Sequence, residues 1–172
     1  MAQSPRPVAL PAGTSAHDPR DASTLPYAWY VDPGKFALEH ARIFSRTWQY
    51  VGHVGRVASP GDFFTSQLRE LPVVVTRDEE GRLHALRNVC CHRGAEVVLA
   101  AEGNRKTLQC HYHAWSYALD GHLLAAPRSG QEPGFRKEDF ALRPLRLDTY
   151  GPFIFVNPDD AAPSLGEVMG AS

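Results

Sequence analysis

Two short boxes of metal-ligating side chains constrain this chain more than any other feature of its sequence. The first, "NVCCHRGAEV", spans residues 88–97, and the second, "CHYHAW", spans residues 110–115. Together they contain all three cysteines of the chain and three of its eight histidines. Thiols and imidazoles are the ligands that zinc and iron–sulfur clusters take in proteins. The two boxes therefore predict a metal centre.

Side-chain direction selects the ligands of the first box. In an extended segment neighbouring side chains point to opposite faces, whereas residues i and i+2 share a face. Cys90 and His92 can therefore converge on one centre, and Cys91 is expected to point away from it.

The same argument applies to the second box. His111 directly follows Cys110 and is disfavoured, while Cys110 and His113 converge if the loop turns. The best four-ligand set takes one cysteine and one histidine from each box: Cys90, His92, Cys110 and His113.

Spacing also bears on the identity of the metal. Structural zinc usually takes C-x2-4-C and H-x3-5-H pairs, and neither box contains one. A Rieske-type [2Fe–2S] cluster places two thiolates on one iron and two imidazoles on the other. Each loop must then supply one ligand to each iron, as C-x-H and C-x2-H do. The pattern favours this cluster, and a zinc-stabilised interaction module is the alternative.

The residues around the boxes predict a mainly β domain. Short apolar runs alternate with turn residues, and "DEEG" at 78–81 and "LDG" at 119–121 are typical of hairpin turns. Many short, closely spaced strands favour an antiparallel sandwich or small barrel over a parallel sheet. The predicted strands are residues 48–54, 62–68, 71–77, 82–89, 107–112, 115–119, 122–127, 145–150 and 152–157.

One helix is predicted ahead of the strands. Asp32 is a suitable N-cap, and Pro33 fits the first helical position. The helix is expected to run to about residue 46 and to bury one apolar stripe, formed by Phe36, Ile43 and Phe44.

Composition sets the domain limits and excludes some functions. Residues 1–24 are expected to form a flexible arm and residues 166–172 a frayed end, which leaves 25–165 as the folded domain. A formal net charge of −1 gives no electrostatic reason for a nucleic-acid or membrane partner. No apolar run reaches the roughly 18 residues that a membrane helix needs. Three clustered cysteines do not form a disulfide framework and favour the reducing cytoplasm.

Segments well beyond the two boxes resemble a single family. "LPYAWYVDP", "ARIFSRTWQYVGHV", "GDFFTSQL", "CHYHAWSYALDGHLLAAP" and "LRPLRLDTYGPFIFVNPD" resemble the N-terminal part of the α subunit of Rieske non-haem iron oxygenases, the aromatic ring-hydroxylating family. The resemblance implies a Rieske-type antiparallel β-sandwich with two cluster-binding loops and a short N-terminal helix. It also implies that Cys90 and Cys110 bind one iron, and that His92 and His113 bind the outer iron.

The resemblance implies electron transfer within an oxidoreductase. The domain would take electrons from a ferredoxin or flavin reductase and pass them to a mononuclear non-haem Fe(II) in an oxygenase catalytic domain, where O2 is activated. That iron needs two histidines and a carboxylate, and only His122 follows His113. We therefore expect the catalytic domain to be absent, the chain alone to be inactive, and no catalytic residue to lie within it. Many members of the family are homo-oligomers. A free-standing Rieske ferredoxin-like carrier is the alternative.

Two positions of the second box depart from the family pattern. His111 stands where proline is common, and Ala114 stands where glycine is common. Neither change removes a ligand, but both can alter the loop geometry and hence the reduction potential. The aromatic residues Tyr112, Trp115 and Tyr117 are expected to pack around the cluster, with a tyrosine hydroxyl bonded to sulfur as the alternative.

Overall fold

The computed structural model describes residues 24–129 and 131–170. The predicted N-terminal arm lies outside the described residues, apart from Thr24. Two compact units are divided between Ala37 and Leu38. No helix among the described residues is long and apolar enough to span a bilayer.

The first unit contains helix α1 (Tyr27–Val31) and the beginning of helix α2 (Pro33–Glu39). The side chain of Asp32 accepts a hydrogen bond from the backbone N–H of Gly34 at 2.7 Å. This contact satisfies one of the free N–H groups at the start of α2, as the predicted N-cap requires.

The predicted helix is shorter and less buried than expected. Regular α-helical geometry ends at Glu39, and a π-helical turn follows over His40–Phe44. Phe36 is 55% exposed and Ile43 is 48% exposed, so the prediction of a buried stripe is wrong. Spacing along a helix shows which side chains share a face, but it does not show what covers that face.

The second unit is mainly antiparallel β structure, as predicted. Its described residues contain ten strands: β1 (Gln49–His53), β2 (Asp62–Leu68), β3 (Leu71–Arg77), β4 (Leu83–Arg87), β5 (Glu102–Asn104), β6 (Leu108–Gln109), β7 (Ser116–Tyr117), β8 (Leu123–Ala125), β9 (Pro144–Tyr150) and β10 (Phe153–Asn157). Seven form one sheet in the order β1-β10-β9-β4-β3-β2-β5, and β6-β7-β8 form a second sheet. Short 3₁₀ turns cover Val54–Val57 and Lys137–Phe140.

Strands β2, β3 and β4 form a wall that two hydrophobic cores share. Successive side chains of a strand point to opposite faces, so Phe64 and Val75 pack in one core while Phe63 and Val74 pack in the other. The apolar run of β3 is therefore buried on both faces. At Gly52 of β1 an added Cβ would lie 2.7 Å from the ring of Phe64, so glycine permits this close approach of β1 to β2.

The core on one side of this wall contains the three-stranded sheet and both cysteine–histidine boxes. Thr76 of β3 is buried, and its hydroxyl donates to the carbonyl of Leu119 at 2.6 Å, which joins the two sheets. The boxes form loop 1 (residues 90–95) and loop 2 (residues 110–115). Their buried members in this core are Cys90, Cys110 and Trp115.

A short helix α3 (Leu165–Met169) lies near the end of the described residues. The Ser164 side chain accepts from the N–H of Glu167, and the Glu167 carboxylate accepts from the N–H of Ser164 at 2.7 Å. Leu165 is fully buried. The prediction of a frayed end from residue 166 missed this helix, although the S-x-x-E capping-box signal is present in the sequence.

Loops 1 and 2 share one pattern of backbone hydrogen bonds. In each loop the cysteine N–H donates to the carbonyl five residues later, Ala95 or Trp115, at 2.8 Å. Each cysteine carbonyl accepts from the N–H four residues later, at 2.9 Å from Gly94 and 3.0 Å from Ala114. The two loops are therefore closed in the same way despite their different ligand spacing.

The closing residue of each loop has a left-handed backbone. Gly94 has φ 74° and Ala114 has φ 58°. Glycine adopts this region freely, whereas a residue with a Cβ atom is destabilised there by about 1–2 kcal/mol. Ala114 therefore strains loop 2.

Replacing Ala114 with glycine is expected to raise the free energy of unfolding by about 1 kcal/mol, because the relief of strain exceeds the added entropy of the unfolded chain. Gly94→Ala is the matched control and should lower it by a similar amount, since an added Cβ there meets nothing within 4 Å. Urea denaturation of the cluster-loaded proteins measures both. Equal stability of all three proteins would contradict the strain.

The hairpin turn between β3 and β4 is closed by a buried carboxylate. Asp78 is 5% exposed. Its side chain accepts from the backbone and side chain of Arg82, each at 2.8 Å, and contacts His84 Nε2 at 2.7 Å. Burial by itself would raise the pKa of Asp78, but the hydrogen bonds from His84 and Arg82 outweigh it and lower the pKa to about 2.

The variant Asp78→Asn is expected to be less stable at pH 7 by about 2 kcal/mol. A lowered folded-state pKa contributes stability above the unfolded value near 3.8, and this contribution is lost as the pH falls towards 2. The difference from wild type, measured by urea denaturation at pH 7 and pH 3, should therefore shrink at pH 3. A constant difference would refute the linkage. Glu80→Gln, at an exposed neighbour of Arg82, should have little effect at either pH.

Candidate metal centre

The two cysteines of the predicted set lie together inside the domain. Cys90 is 3% exposed and Cys110 is 2% exposed. Burial raises the pKa of the Cys110 thiol and the adjacent Cys90 raises it further, while the backbone amides of Tyr112 and His113 lower it. Thiolates so deeply buried require a cation to balance their charge. The pair is therefore suited to a metal and poorly suited to free thiolate chemistry.

The two predicted histidines lie next to each other and closer to solvent. Their ring centroids are 4.7 Å apart and the rings are inclined at 73°. His92 is partly buried and His113 is exposed. Desolvation lowers the pKa of His113, and the charges of His92, Arg93 and Arg128 lower it further. Neutral imidazole is the form that binds metal, so this environment favours a ligand.

The two residues that the sequence analysis set aside point elsewhere. The Cys91 sulfur lies 3.1 Å from the carbonyl oxygen of Ala141, and Cys91 is exposed whereas Cys90 is buried. His111 is exposed, beside the buried Cys110. Residues 91–93 and 111–113 lie in turns closed by backbone hydrogen bonds and not in extended segments, so the alternation of side chains does not account for these positions.

The four predicted ligands form two pairs, one of buried thiols and one of adjacent imidazoles. A [2Fe–2S] cluster can take two thiolates at one iron and two imidazoles at the other. The residues present therefore fit such a cluster.

Tyr117 contributes a hydroxyl group to the sulfur environment. Its oxygen accepts from the backbone N–H of Cys91 at 3.1 Å and lies 3.3 Å from the Cys90 sulfur. Because the amide must be the donor, the hydroxyl proton is left for the sulfur. Burial, and then the contact with Cys90, raise the pKa of Tyr117, so the hydroxyl stays protonated. The sequence analysis favoured packing, and the structure shows packing together with this contact.

Asn88 fixes the start of loop 1 and was not predicted. It is 1% exposed, its side-chain amide donates to the carbonyl of Val98 at 2.8 Å, and its carbonyl accepts from the Val98 N–H at 2.9 Å. This two-bond contact closes the segment 88–98, which contains loop 1. An asparagine between an apolar strand and a cysteine box was the available signal, since buried amides are normally hydrogen-bonded.

Aromatic rings cover the two imidazoles unequally. Trp115 is 2% exposed and stacks on His92 with centroids 4.9 Å apart and an interplanar angle of 7°. Tyr112 lies over His113 with centroids 3.8 Å apart, yet it is 58% exposed. The predicted packing role is confirmed for Trp115, whereas Tyr112 covers the His113 imidazole at the surface of the domain.

A shallow cavity of about 390 Å³ opens beside the imidazoles. Its lining includes His92, His113, Tyr112 and Arg128. The two histidines can therefore be reached from outside the domain, while the two sulfur atoms behind them cannot.

Comparison with known proteins agrees with this geometry. Residues 47–150 match the model of the Rieske [2Fe–2S] domain. The chain is 38% identical over 147 residues to the chloroplastic choline monooxygenase of Arabidopsis thaliana, covering 86% of this chain and 35% of that protein. It is 39% identical over 142 residues to the biphenyl 2,3-dioxygenase α subunit of Rhodococcus jostii, covering 82% and 31%. The chain thus spans about a third of the length of these relatives.

Solved structures show the same fold. The apo form of the quaternary ammonium Rieske monooxygenase CntA superimposes with a TM-score of 0.80 at 32% identity, covering 85% of this chain and 43% of that one. Naphthalene 1,2-dioxygenase from Rhodococcus sp. gives a TM-score of 0.77 at 33% identity, covering 81% and 32%. The chain therefore belongs to the Rieske [2Fe–2S] domain family and is homologous to part of the α subunits of Rieske oxygenases.

Proposed function

We propose that this domain transfers electrons within a ring-hydroxylating-type oxygenase. The observation that supports it most directly is the pair of accessible imidazoles in front of a pair of buried thiols. A cluster held in this way is shielded from water on its cysteine side. Electrons are then exchanged at the histidine side, where a partner can make contact.

The proposed ligands are Cys90 and Cys110 at the inner iron and His92 and His113 at the outer iron. When bound, the [2Fe–2S] cluster accepts and releases single electrons. The chain's own residues set the conditions for this exchange. The backbone amides of loop 2 and the Tyr117 hydroxyl are hydrogen-bond donors to sulfur, and the core around the thiols excludes solvent.

The proposed partners follow from what the chain contains. The relatives named above are monooxygenases and dioxygenases about three times as long as the matched region. A catalytic domain with a mononuclear iron is the proposed acceptor, and a ferredoxin or flavin reductase is the proposed donor.

For the quaternary ammonium monooxygenase, electron transfer between subunits has been described, which supports a homo-oligomer here. A cytoplasmic location is proposed because clustered ligand cysteines need a reducing compartment.

The ligand assignment is tested by replacing each of the two neighbouring cysteines, Cys90 and Cys91, with serine in separate variants. Cys90→Ser is expected to abolish the cluster, whereas Cys91→Ser should keep it, because only the Cys90 sulfur lies in the buried pair. Iron and acid-labile sulfide analysis with the visible spectrum measures this, and wild type should contain two irons and two sulfides. The reverse outcome for the two variants would refute the ligand set. One zinc in a colourless wild-type protein would refute the proposed function.

The hydroxyl of Tyr117 is expected to raise the reduction potential, since a hydrogen bond to sulfur stabilises the reduced, more negative cluster. Removing it in Tyr117→Phe should lower the potential by about 40 mV, equivalent to about 1 kcal/mol for one electron. Protein-film voltammetry measures the change. Tyr112→Phe is the control, because the Tyr112 hydroxyl makes no hydrogen bond to a sulfur within the described residues. An unchanged potential in Tyr117→Phe would exclude the donor role.

A further inference from the structure

The orientation of His92 is set by a flat contact with Trp115. The two rings are nearly parallel, at 7°, with centroids 4.9 Å apart. Parallel contact restricts rotation of the imidazole about its Cβ–Cγ bond, because rotation would drive its edge into the indole. The position of Trp115 therefore determines the plane of His92.

Ring packing holds Trp115 in place. Its indole N–H is buried and makes no hydrogen bond to any residue that the structure describes. Buried tryptophans usually fix their orientation through this donor. Without this hydrogen bond, the neighbouring side chains determine the position of the indole.

Two phenylalanines pack against Trp115 with their rings nearly perpendicular to the indole. Phe140 lies 5.5 Å from the indole at 82°, and Phe135 lies 5.8 Å from it at 86°. The phenyl rings stack on each other with centroids 4.8 Å apart and an angle of 15°. Both are partly buried against the core that contains the thiols. The three side chains Trp115, Phe135 and Phe140 are called the aromatic brace below.

The segment that supplies the phenylalanines is tied to the rest of the site. The carbonyl of Ala141, next to Phe140, accepts from the thiol of Cys91 at 3.1 Å. The N–H of Leu142 donates to the carbonyl of Gly121 at 2.8 Å. These contacts fix the segment against loop 1 and against the turn between β7 and β8. They also give Cys91 a structural role.

We infer that Phe135 and Phe140 are positioning residues for the electron-transfer centre, acting through Trp115 on His92. This inference rests on the proposed function, since it requires His92 to be an iron ligand. The brace keeps the imidazole plane in one orientation and keeps water away from its inner face. Neither phenylalanine lies in a cysteine–histidine box.

Loss of the brace has two separate consequences for the cluster. A His92 ring that is held less tightly gives a spread of ligand orientations about the iron, which broadens the electron paramagnetic resonance lines of the reduced cluster. Water that enters beside His92 stabilises the added negative charge of the reduced state, because solvation favours the more highly charged form. The reduction potential therefore rises.

Phe140→Ala in the cluster-loaded chain tests the inference. The variant is expected to retain two irons and two sulfides, to show broader resonance lines, and to shift to a higher potential. In D2O, electron spin echo modulation from deuterium near the cluster should increase. If Phe140→Ala does not retain the cluster, Phe135→Leu, a smaller change at the same contact, is measured with the same three readouts and the same expectations.

Two control variants distinguish a loss of His92 positioning from a general loss of protein stability. Phe140→Tyr keeps the ring and should restore all three readouts to wild-type values. Phe155→Ala removes another partly buried phenyl ring, one that packs on Tyr50 in β1. It should lower the melting temperature without altering the cluster signals.

Wild-type linewidth, potential and deuterium modulation in Phe140→Ala would overturn the inference, even if the variant were less stable. Equal changes in Phe155→Ala would overturn it as well, because they would be effects of destabilisation. A wild-type chain without iron and sulfide would instead refute the proposed function. The two failures are thus distinguishable.

Discussion

Two sulfur atoms buried behind two imidazoles are the arrangement on which the rest of this structure depends. Thiolates at Cys90 and Cys110 would be destabilising in an apolar core without a metal. The surrounding residues must therefore hold both sulfur atoms where a metal can balance their charge. The matched backbone hydrogen bonds of loops 1 and 2 do this without using any side chain of the box. Because these hydrogen bonds join backbone atoms only, they form in loop 2 even with alanine at position 114, although the alanine is strained.

The wall of β2, β3 and β4 separates two cores, and only one of them contains the cysteine–histidine loops. One face of the wall closes a core within the curled sheet, and the other face supports the three-stranded sheet with its two loops. Adjacent residues such as Phe63 and Phe64 belong to different cores. A substitution on one face of these strands is therefore expected to affect one core before the other.

What the sequence could predict depended on local geometry. The bounds of β2 and β3 were predicted correctly, since alternation and turn residues act over a few positions. Side-chain alternation also predicted different surroundings for Cys90 and Cys91, and Cys90 is buried while Cys91 is exposed, but the two lie in a turn and not in an extended segment. The contacts of Tyr117 with Cys90 and of Asn88 with Val98 join residues that are ten or more positions apart. No periodicity encodes such contacts, and the exposure of Phe36 shows the same limit for a helical face.

The two imidazoles are held by different means, and the difference matters for electron transfer. His92 stacks on a buried indole that the aromatic brace fixes, whereas His113 lies beneath an exposed tyrosine beside the surface cavity. A partner that docks at the cavity can therefore disturb Tyr112 and His113 while His92 keeps its orientation. In the proposed ligand set, a rigid His92 would limit the reorganisation that each change of charge requires, because preorganised groups need not move during the transfer. His113 remains open to contact at the surface, where the proposed partners would dock.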